Sequence, residues 1–283
     1  MLLRAFAKIN LDLRILGRRD DGFHEVRTIL QTIDWFDEIH MEFADRFEFA
    51  ALGVPDDETN LVVRAVRAYE EVSGVKANVR VQLVKNIPVG RGLGGGSADA
   101  AVTVMGLQRL YKRLLDRDRV YEALRSLGSD VPFFAVGGQA AAFGRGDEVV
   151  GLDEFSDSWV VLVDPGIAIA TREAYSWLTI PAKSNSIEGF HGEEVSGCEA
   201  EHPRNDFEDP VFERYPVLAE IKGQLQRLGA YHASLSGSGS TIYGQFQMVS
   251  DAIRAGSALN TRFRTKVTKA LPRWEYFQRM VEE

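Results

Sequence analysis

Residues 88–98 read Pro88-Val89-Gly90-Arg91-Gly92-Leu93-Gly94-Gly95-Gly96-Ser97-Ala98. Five of the chain's 26 glycines fall in this stretch. It lies between an alternating segment, Ala77, Val79, Val81 and Leu83, that reads as a strand, and an alanine-rich segment that reads as a helix. In the order strand, glycine loop, helix, consecutive backbone N–H groups converge on an anion and the helix adds the positive end of its dipole. Phosphate is the natural guest. The competing reading is a flexible connector, which rarely sits between a strand and a well-capped helix. Ser97 is the expected N-cap, and Ala98, Ala100 and Ala101 are small enough for the helix to pack closely on a neighbour.

Three phosphate-binding devices have to be separated. The Walker loop needs Lys followed by Ser or Thr after its last glycine, and here Gly96 is followed by Ser97 and Ala98. Gly90, Gly92 and Gly95 satisfy the dinucleotide spacing G-x-G-x-x-G, but that device also needs an acidic residue ending the next strand. Asp116 has the distance and lies in helical sequence instead. The protein-kinase loop would require HRD and DFG segments downstream, and the chain has neither.

Upstream, every odd position from Leu3 to Ile15 is apolar, which reads as a half-buried strand with Lys8, Asn10 and Asp12 on the face opposite the core. The turn chemistry of 17–22, GRRDDG, leads to a second strand in 23–33 and a short alternating segment around Ile39, Met41 and Phe43, a pattern suited to an antiparallel sheet. Thr59 and Asn60 cap a helix over 61–72 that Gly74 stops. A helix over 119–127 runs into Gly128-Ser129-Asp130-Val131-Pro132. Strands at 139–143 and 158–163 flank the polar stretch 144–157, read as a domain boundary near residue 153.

The second half shows a helix from Thr171, a pattern-free stretch from about 181 to 203 read as a surface insertion, and an amphipathic helix over 212–228. A strand around Ala233, the loop Ser236-Gly237-Ser238-Gly239-Ser240, a strand over 241–246, a helix over 252–259 and a strand over 263–267 complete it. Strand–helix alternation with hairpins indicates α+β rather than a doubly wound sheet, with domains 1–153 and 154–283.

Composition narrows the class. A chain of 283 residues, 45% apolar and 26% charged, holds enough hydrophobic material for one large or two modest cores, so disorder and collagen-like repeats are excluded. With 33 Lys and Arg against 41 Asp and Glu, the formal charge of -8 lacks the basic field of a sequence-blind nucleic-acid binder. The single cysteine, Cys198, forms neither an internal disulfide nor a cysteine-rich zinc site, in keeping with a reducing compartment. Apolar runs fall well short of the roughly 20 residues of a membrane helix, and no charged-then-apolar leader precedes the first strand. The expectation is a cytoplasmic enzyme with no nucleic-acid or membrane partner, as a monomer or homodimer.

The stretch 88–98 resembles the ATP-binding motif of the galactokinase, homoserine kinase, mevalonate kinase and phosphomevalonate kinase superfamily. In addition 7–11 (AKINL), 17–24 (GRRDDGFH), 128–132 (GSDVP), 205–208 (NDFE) and 236–240 (SGSGS) resemble, in order, the pattern of the 4-diphosphocytidyl-2-C-methyl-D-erythritol kinase family. The resemblance covers most of the chain outside 181–203. It implies a two-domain small-molecule kinase fold, with a ribosomal-protein-like N-terminal domain, a smaller α+β C-terminal domain and the active-site cleft between them. It also implies transfer of the γ-phosphoryl group of ATP, with Mg2+, to the 2-hydroxyl of a cytidine diphosphate-linked methylerythritol in the non-mevalonate isoprenoid pathway. The rival readings are another kinase of the superfamily, of homoserine or mevalonate type, a dinucleotide-dependent oxidoreductase, and a nucleotide-binding regulator without catalysis.

By the same resemblance Asp130 is the general base and Lys8 holds that carboxylate ionised and offsets charge on the transferring group. From the residues alone, Asp130 reads as a cap or turn residue and Lys8 as a solvated strand lysine. The resemblance places ATP on Pro88, Val89, Gly90, Arg91, Gly92, Leu93, Gly94, Gly95, Gly96, Ser97 and Ala98, with Asn60 and Leu61 beside the adenine and Lys85 at the strand end. Asn10 and His24 become substrate contacts, with Phe23 and Tyr175 the aromatic pair around the cytosine and Gly237, Ser238 and Gly239 the loop that closes the site. Phe23 stands where tyrosine is usual and Tyr175 where phenylalanine is common, which moves one hydroxyl across the pair and keeps the π faces. Thr171 is either a substrate contact or the N-cap of its helix. Arg91 replaces a small residue and reaches either a phosphate or solvent; Ala98 replaces a serine. The protein ligands of the metal are not assigned, since Ser97 would serve either the metal or a phosphate.

Overall fold

The computed structural model describes residues 1–153, 158–179 and 203–282. The proposed boundary near residue 153 borders the first gap, and the stretch read as an insertion, with Cys198, lies almost entirely outside the described residues. Strand β1 (Leu2–Arg18) pairs antiparallel with β2 (His24–Phe43), a single long strand that absorbs both the 23–33 strand and the separate segment expected around Met41. The pairing is interrupted between Phe6 and Lys8, Asn10 and Asp12, and Ile15 and Gly17. Such bulges re-aim side chains. Leu3, Ala5 and Phe6 therefore enter the core beneath the helices, whereas Ala7 and Ile9 enter a second layer on the other side. Lys8, Asn10 and Asp12, expected on a face away from the core, are all buried.

Strand β3 (Glu48–Ala51) was not signalled by any alternation; it is short and pairs parallel with β4 (Val79–Val84). Helix α1 (Leu61–Ser73) is bounded as its sequence dictates, with the Asn60 side chain accepting from the Val62 N–H and Gly74 in the left-handed region. Helix α2 (Gly95–Leu110) starts two residues before Ser97, because Gly94 at φ 69° turns the chain directly into the helix; Ser97 lies in its first turn and is not the cap. The small residues of α2 let it sit hard against β1: a Cβ on Gly106 would lie 2.4 Å from Leu3 Cδ1. Helix α3 (Arg117–Leu127) is capped by Asp116, whose carboxylate accepts from the Arg119 N–H, so that acid is not the strand-end residue of a dinucleotide fold. A 3₁₀ turn (Val131–Ala135) follows, then β5 (Gln139–Phe143) on β2 and β6 (Glu148–Gly151) on β5. The polar stretch read as a boundary thus holds a strand of the first sheet.

The second sheet is antiparallel, in the order β10 (Arg264–Lys269), β7 (Trp159–Asp164), β9 (Ile242–Phe246), β8 (His232–Leu235). Helix α4 (Thr171–Ser176) precedes the second gap. The single amphipathic helix expected over 212–228 is two, α5 (Glu208–Arg214) and α6 (Pro216–Arg227), because Pro216 can begin a helix and cannot continue one. Leu218, Ile221 and Leu225 of α6 pack with Val161, Val163 and Ile242 of the sheet, as do Ala252 and Leu259 of α7 (Val249–Leu259).

Ala7, Ile9, Ile33, Ile87 and Leu93 meet Val160, Leu162 and Tyr243 in a buried seam between the two sheets. The last helix, α8 (Arg273–Met280), returns to the first core, and β11 (Val281–Glu282) pairs with β1. Its buried Tyr276 donates its hydroxyl to the Phe134 carbonyl at 2.6 Å and so braces the 3₁₀ turn that follows Asp130. Tyr276→Phe leaves that carbonyl unpaired in the core, and the expected loss in urea unfolding is about 1–3 kcal/mol.

Candidate active site

The glycine loop is shaped by what presses on it. Gly90, Gly92 and Gly94 all have φ between 68° and 77°. At Gly92 a Cβ would lie 2.0 Å from the Ser236 carbonyl oxygen, and at Gly94 it would lie 2.9 Å from Lys8 Cγ. Only glycine satisfies both the left-handed backbone and the missing side chain at these two places. The first bond into α2 is Ala98 N–H to the Gly94 carbonyl, so the N–H groups of Gly95, Gly96 and Ser97 precede the helical ladder and point out of its N-terminus. These donors and the helix dipole make a cradle for an anion.

Lys8 forms the other wall. Its backbone N–H donates to the Leu93 carbonyl at 2.9 Å, which ties β1 to the loop. Its ammonium, on a side chain only 3% exposed, donates to Asn10 Oδ1 at 2.6 Å and stands 3.3 Å from Asp130 Oδ2. Asn10 is fixed in turn by donating to Thr28 Oγ1 at 2.8 Å, and the Thr28 hydroxyl donates to the Asp12 carbonyl. Asp130 is 42% exposed at the mouth of the cleft, placed there by the helix stop at Gly128 and the proline-started 3₁₀ turn. A buried cation thus faces a carboxylate that a ligand can reach.

A cavity of about 430 Å³ brings most of the expected residues together. Lys8, Asn10, Asp130, Thr171, Tyr175, Gly237 and Ser238 line it with Asn60, Leu61, Lys85 and the run from Pro88 to Ser97. Ala98 is fully buried behind the loop, and Gly239 is not part of the wall. Thr171 does not cap α4, whose N-cap is Ala170; its hydroxyl accepts from Ser238 Oγ at 3.2 Å.

Phe23 does not meet Tyr175. It sits at the tip of the GRRDDG turn, 51% exposed, held by its N–H to Asp21 Oδ1 and lying under the Arg145 guanidinium at 5.1 Å. The ring that stacks on Tyr175 is His24, at 4.6 Å and 16° between planes. Burial and the Arg18 charge lower the pKa of His24, which favours the neutral ring. Burial first and the Asp130 charge second push the Tyr175 phenol up to about 12. Arg91 borders the cavity, and its guanidinium is engaged by the Ile167 carbonyl and the Asp164 carboxylate.

Two residues of the site carried no recognised sequence signal. Asp37, buried on β2, accepts from the N–H groups of Asn86 and Ile87 at 2.5 and 2.8 Å and from the Lys85 ammonium at 2.5 Å. Asp99, in the first turns of α2, accepts from the same ammonium at 2.7 Å. Lys85 thereby joins the strand before the glycine loop to the helix after it. An acid on the buried face of an alanine-rich helix, and another within the Trp35-Phe36-Asp37 run, are the signals that would have exposed the pair. Asn205, the first residue of the 205–208 motif, donates to the Leu235 and Gly237 carbonyls and so fixes the 236–240 loop from behind.

Burial pushes the Asp99 carboxyl up to about 8, with Lys85 opposing and Asp37 adding to the rise. Burial disfavours the charge of Lys85, but Asp99 and Asp37 together outweigh it and raise that pKa. Because folded Asp99 keeps its proton to higher pH than the ordinary value of 3.8, its contribution to stability falls as pH rises from about 4 and is fully lost above about 8. Asp99→Asn, which cannot titrate, is expected to show a shallower fall in urea midpoint across that window than the wild type; an equal slope would contradict the raised pKa.

Comparison with known proteins bears on this geometry. The family model described as GHMP kinases N terminal domain matches residues 60–138, and the one described as GHMP kinases C terminal matches 190–265. The chain is 43% identical over 255 residues to the 4-diphosphocytidyl-2-C-methyl-D-erythritol kinase of Solibacter usitatus, covering 87% of this chain and 81% of that one. It is 38% identical over 265 residues to the enzyme of that name from Geobacter metallireducens, covering 92% and 94%. A crystal structure of 4-(cytidine 5'-diphospho)-2C-methyl-D-erythritol kinase superposes with a TM-score of 0.79 at 33% identity, covering 95% of this chain and 99% of that chain. A mevalonate kinase structure, at a TM-score of 0.70 and 12% identity, shares the fold.

Proposed function

The chain belongs to the GHMP kinases, and within them to the 4-diphosphocytidyl-2-C-methyl-D-erythritol kinase family, and from that premise we propose that it transfers the γ-phosphoryl group of ATP to the 2-hydroxyl of 4-diphosphocytidyl-2-C-methyl-D-erythritol. The observation that carries the mechanism is the Lys8–Asp130 pair, 3.3 Å apart, beside the glycine cradle and in one cavity with Thr171 and Tyr175. Phosphoryl transfer asks a protein mainly for position and for charge placed where charge develops.

The N–H groups of Gly95, Gly96 and Ser97 receive the phosphate oxygens. Asp130 accepts the proton of the attacking hydroxyl as its oxygen bonds to the γ-phosphorus and the bond to the β-phosphate oxygen breaks, with ADP as the leaving group. Lys8, held by Asn10, stands beside the Asp130 carboxylate and offsets charge on the transferring group. Asn60 and Leu61 flank the adenine, and the π face of Tyr175, under His24 in the free protein, stacks with the cytosine.

Among the described residues no group of three or more His, Cys, Asp or Glu side chains is placed to hold a metal. Magnesium carried in on the phosphate oxygens fits such a site, with the Ser97 hydroxyl as the oxygen donor the protein would offer; the bound ion would neutralise phosphate charge. We place the domain boundary near residue 153, and the cytoplasm is the compartment this reading implies. Among the described residues no helix is long and apolar enough to cross a membrane.

Incubation with ATP, magnesium and the cytidylated substrate is expected to yield ADP and a singly phosphorylated product. Turnover of homoserine or mevalonate without turnover of that substrate would refute the assignment. Asp130→Asn is expected to lower kcat by about 10²- to 10⁴-fold, the usual worth of a general base, with nucleotide affinity close to wild type. A nearly active variant would mean that Asp130 is not the base.

A further inference from the structure

We propose that Arg91 is a positioning residue that locks the phosphate-binding loop to the segment leading into α4, and so fixes the phosphoryl donor relative to the acceptor; this rests on the kinase reading above. Residue 91 borders the cavity, and its side chain, 16% exposed, is engaged by the second sheet. The guanidinium Nη1 donates to the Ile167 carbonyl at 2.7 Å, and Nε stands 3.1 Å from Asp164 Oδ1. That carboxylate also accepts from the Gly166 N–H at 2.9 Å, which fixes it within its own turn. The Ile167 carbonyl takes a second donor, Ser240 Oγ at 2.5 Å.

Three loops therefore meet at one point. The 236–241 loop closes the triangle: Ser236 Oγ donates to the Gly92 carbonyl at 2.9 Å and the Thr241 N–H to the Arg91 carbonyl at 3.3 Å. Four residues after Ile167 the chain reaches Thr171, the first residue of α4, with Tyr175 one turn on, and both line the cavity that holds Lys8 and Asp130. A short run of bonds thus connects the donor cradle to the helix on the acceptor side.

The ion pair also explains why a cation beside a polyanion site points elsewhere. Asp164 meets the charge of Arg91 and holds it on the second sheet, so the guanidinium acts as a tie between loops. In-line transfer is sensitive to small displacements, and a misplacement of about 1 Å can cost on the order of a hundredfold in rate. Loosening this tie is then expected to act on kcat and on acceptor KM more than on nucleotide binding.

The test is steady-state kinetics with ATP and the cytidylated substrate for wild type, Arg91→Met, Arg91→Lys, Asp164→Asn and the Arg91→Met/Asp164→Asn double variant. Nucleotide affinity is measured alone, and folded fraction by circular dichroism. In Arg91→Met, kcat is expected to fall by about tenfold or more and acceptor KM to rise, with nucleotide Kd within about threefold of wild type. Arg91→Lys is expected to recover part of the loss, and the double variant to be no worse than the poorer single one, since both act on one contact. A folded Arg91→Met with kcat and KM within about twofold of wild type would overturn the proposal, as would a rate loss that only matches the lost folded fraction or strictly additive single effects. Should Arg91→Met not fold, wild-type kinetics in Asp164→Asn and Arg91→Lys would overturn it equally. A wild type that transfers no phosphate would bring down the functional reading itself, whereas an active wild type with insensitive variants would bring down this inference alone.

Discussion

A lysine ammonium taken out of water must have its charge met, and the placement of Lys8 organises the first half of this molecule. The irregularity in β1 beyond Phe6 and the one beyond Asn10 leave Lys8 and Asn10 buried side by side, with the ammonium donating to the Asn10 amide oxygen. The Lys8 stem excludes any side chain at Gly94, which frees that residue to turn left-handed and start α2. Asp130 completes the arrangement from the 3₁₀ turn that Tyr276 of the last helix braces. The strand bulge, the glycine loop, the Asp130 turn and the helix that braces it are thus linked through one buried cation.

The charge balance follows the same logic at larger scale. A protein of formal charge -8 whose two ligands are both polyanions cannot rely on its overall field. In the proposed mechanism the charge is met locally, by the leading N–H groups of α2 that bind phosphate and by the Lys8 ammonium during transfer. Lys85 serves differently. Shared between Asp37 and Asp99, it fastens the strand before the loop to the helix after it, so its charge is committed to holding the cradle in shape. Arg91 is committed likewise, to Asp164.

Much of the fold was legible because local chemistry and tertiary structure agree. The caps at Asn60 and Gly74, the alternation of β1 and β4, and the two-sheet α+β class all follow from residue pattern. Where they diverged the causes are physical. A strict period of two hides a bulge, so Lys8, Asn10 and Asp12 read as solvated when they are buried. Pro216 divides a continuous amphipathic pattern because its ring starts a helix as readily as it breaks one. α8 returns to a core far away in sequence, which no local pattern encodes. At the site, motif positions singled out Lys8, Asp130, the glycine loop and Asn205, while Asp37 and Asp99, which hold Lys85 beside that loop, are defined by contacts rather than by local pattern. The rotation that brings His24 rather than Phe23 onto Tyr175 depends on the geometry of a turn tip, and composition does not specify it.

The proposed mechanism divides labour between backbone amides that bind phosphates and a buried ammonium that acts during transfer. Single-turnover kinetics of Lys8→Met, set beside its nucleotide dissociation constant, tests that division most directly. The expected result is a transfer rate lower by about a hundredfold or more, as for loss of a preorganised electrostatic donor, with nucleotide affinity changed only slightly. A variant that binds nucleotide poorly yet transfers phosphate at the wild-type rate once saturated would contradict it, and would make Lys8 a binding residue for the ground state.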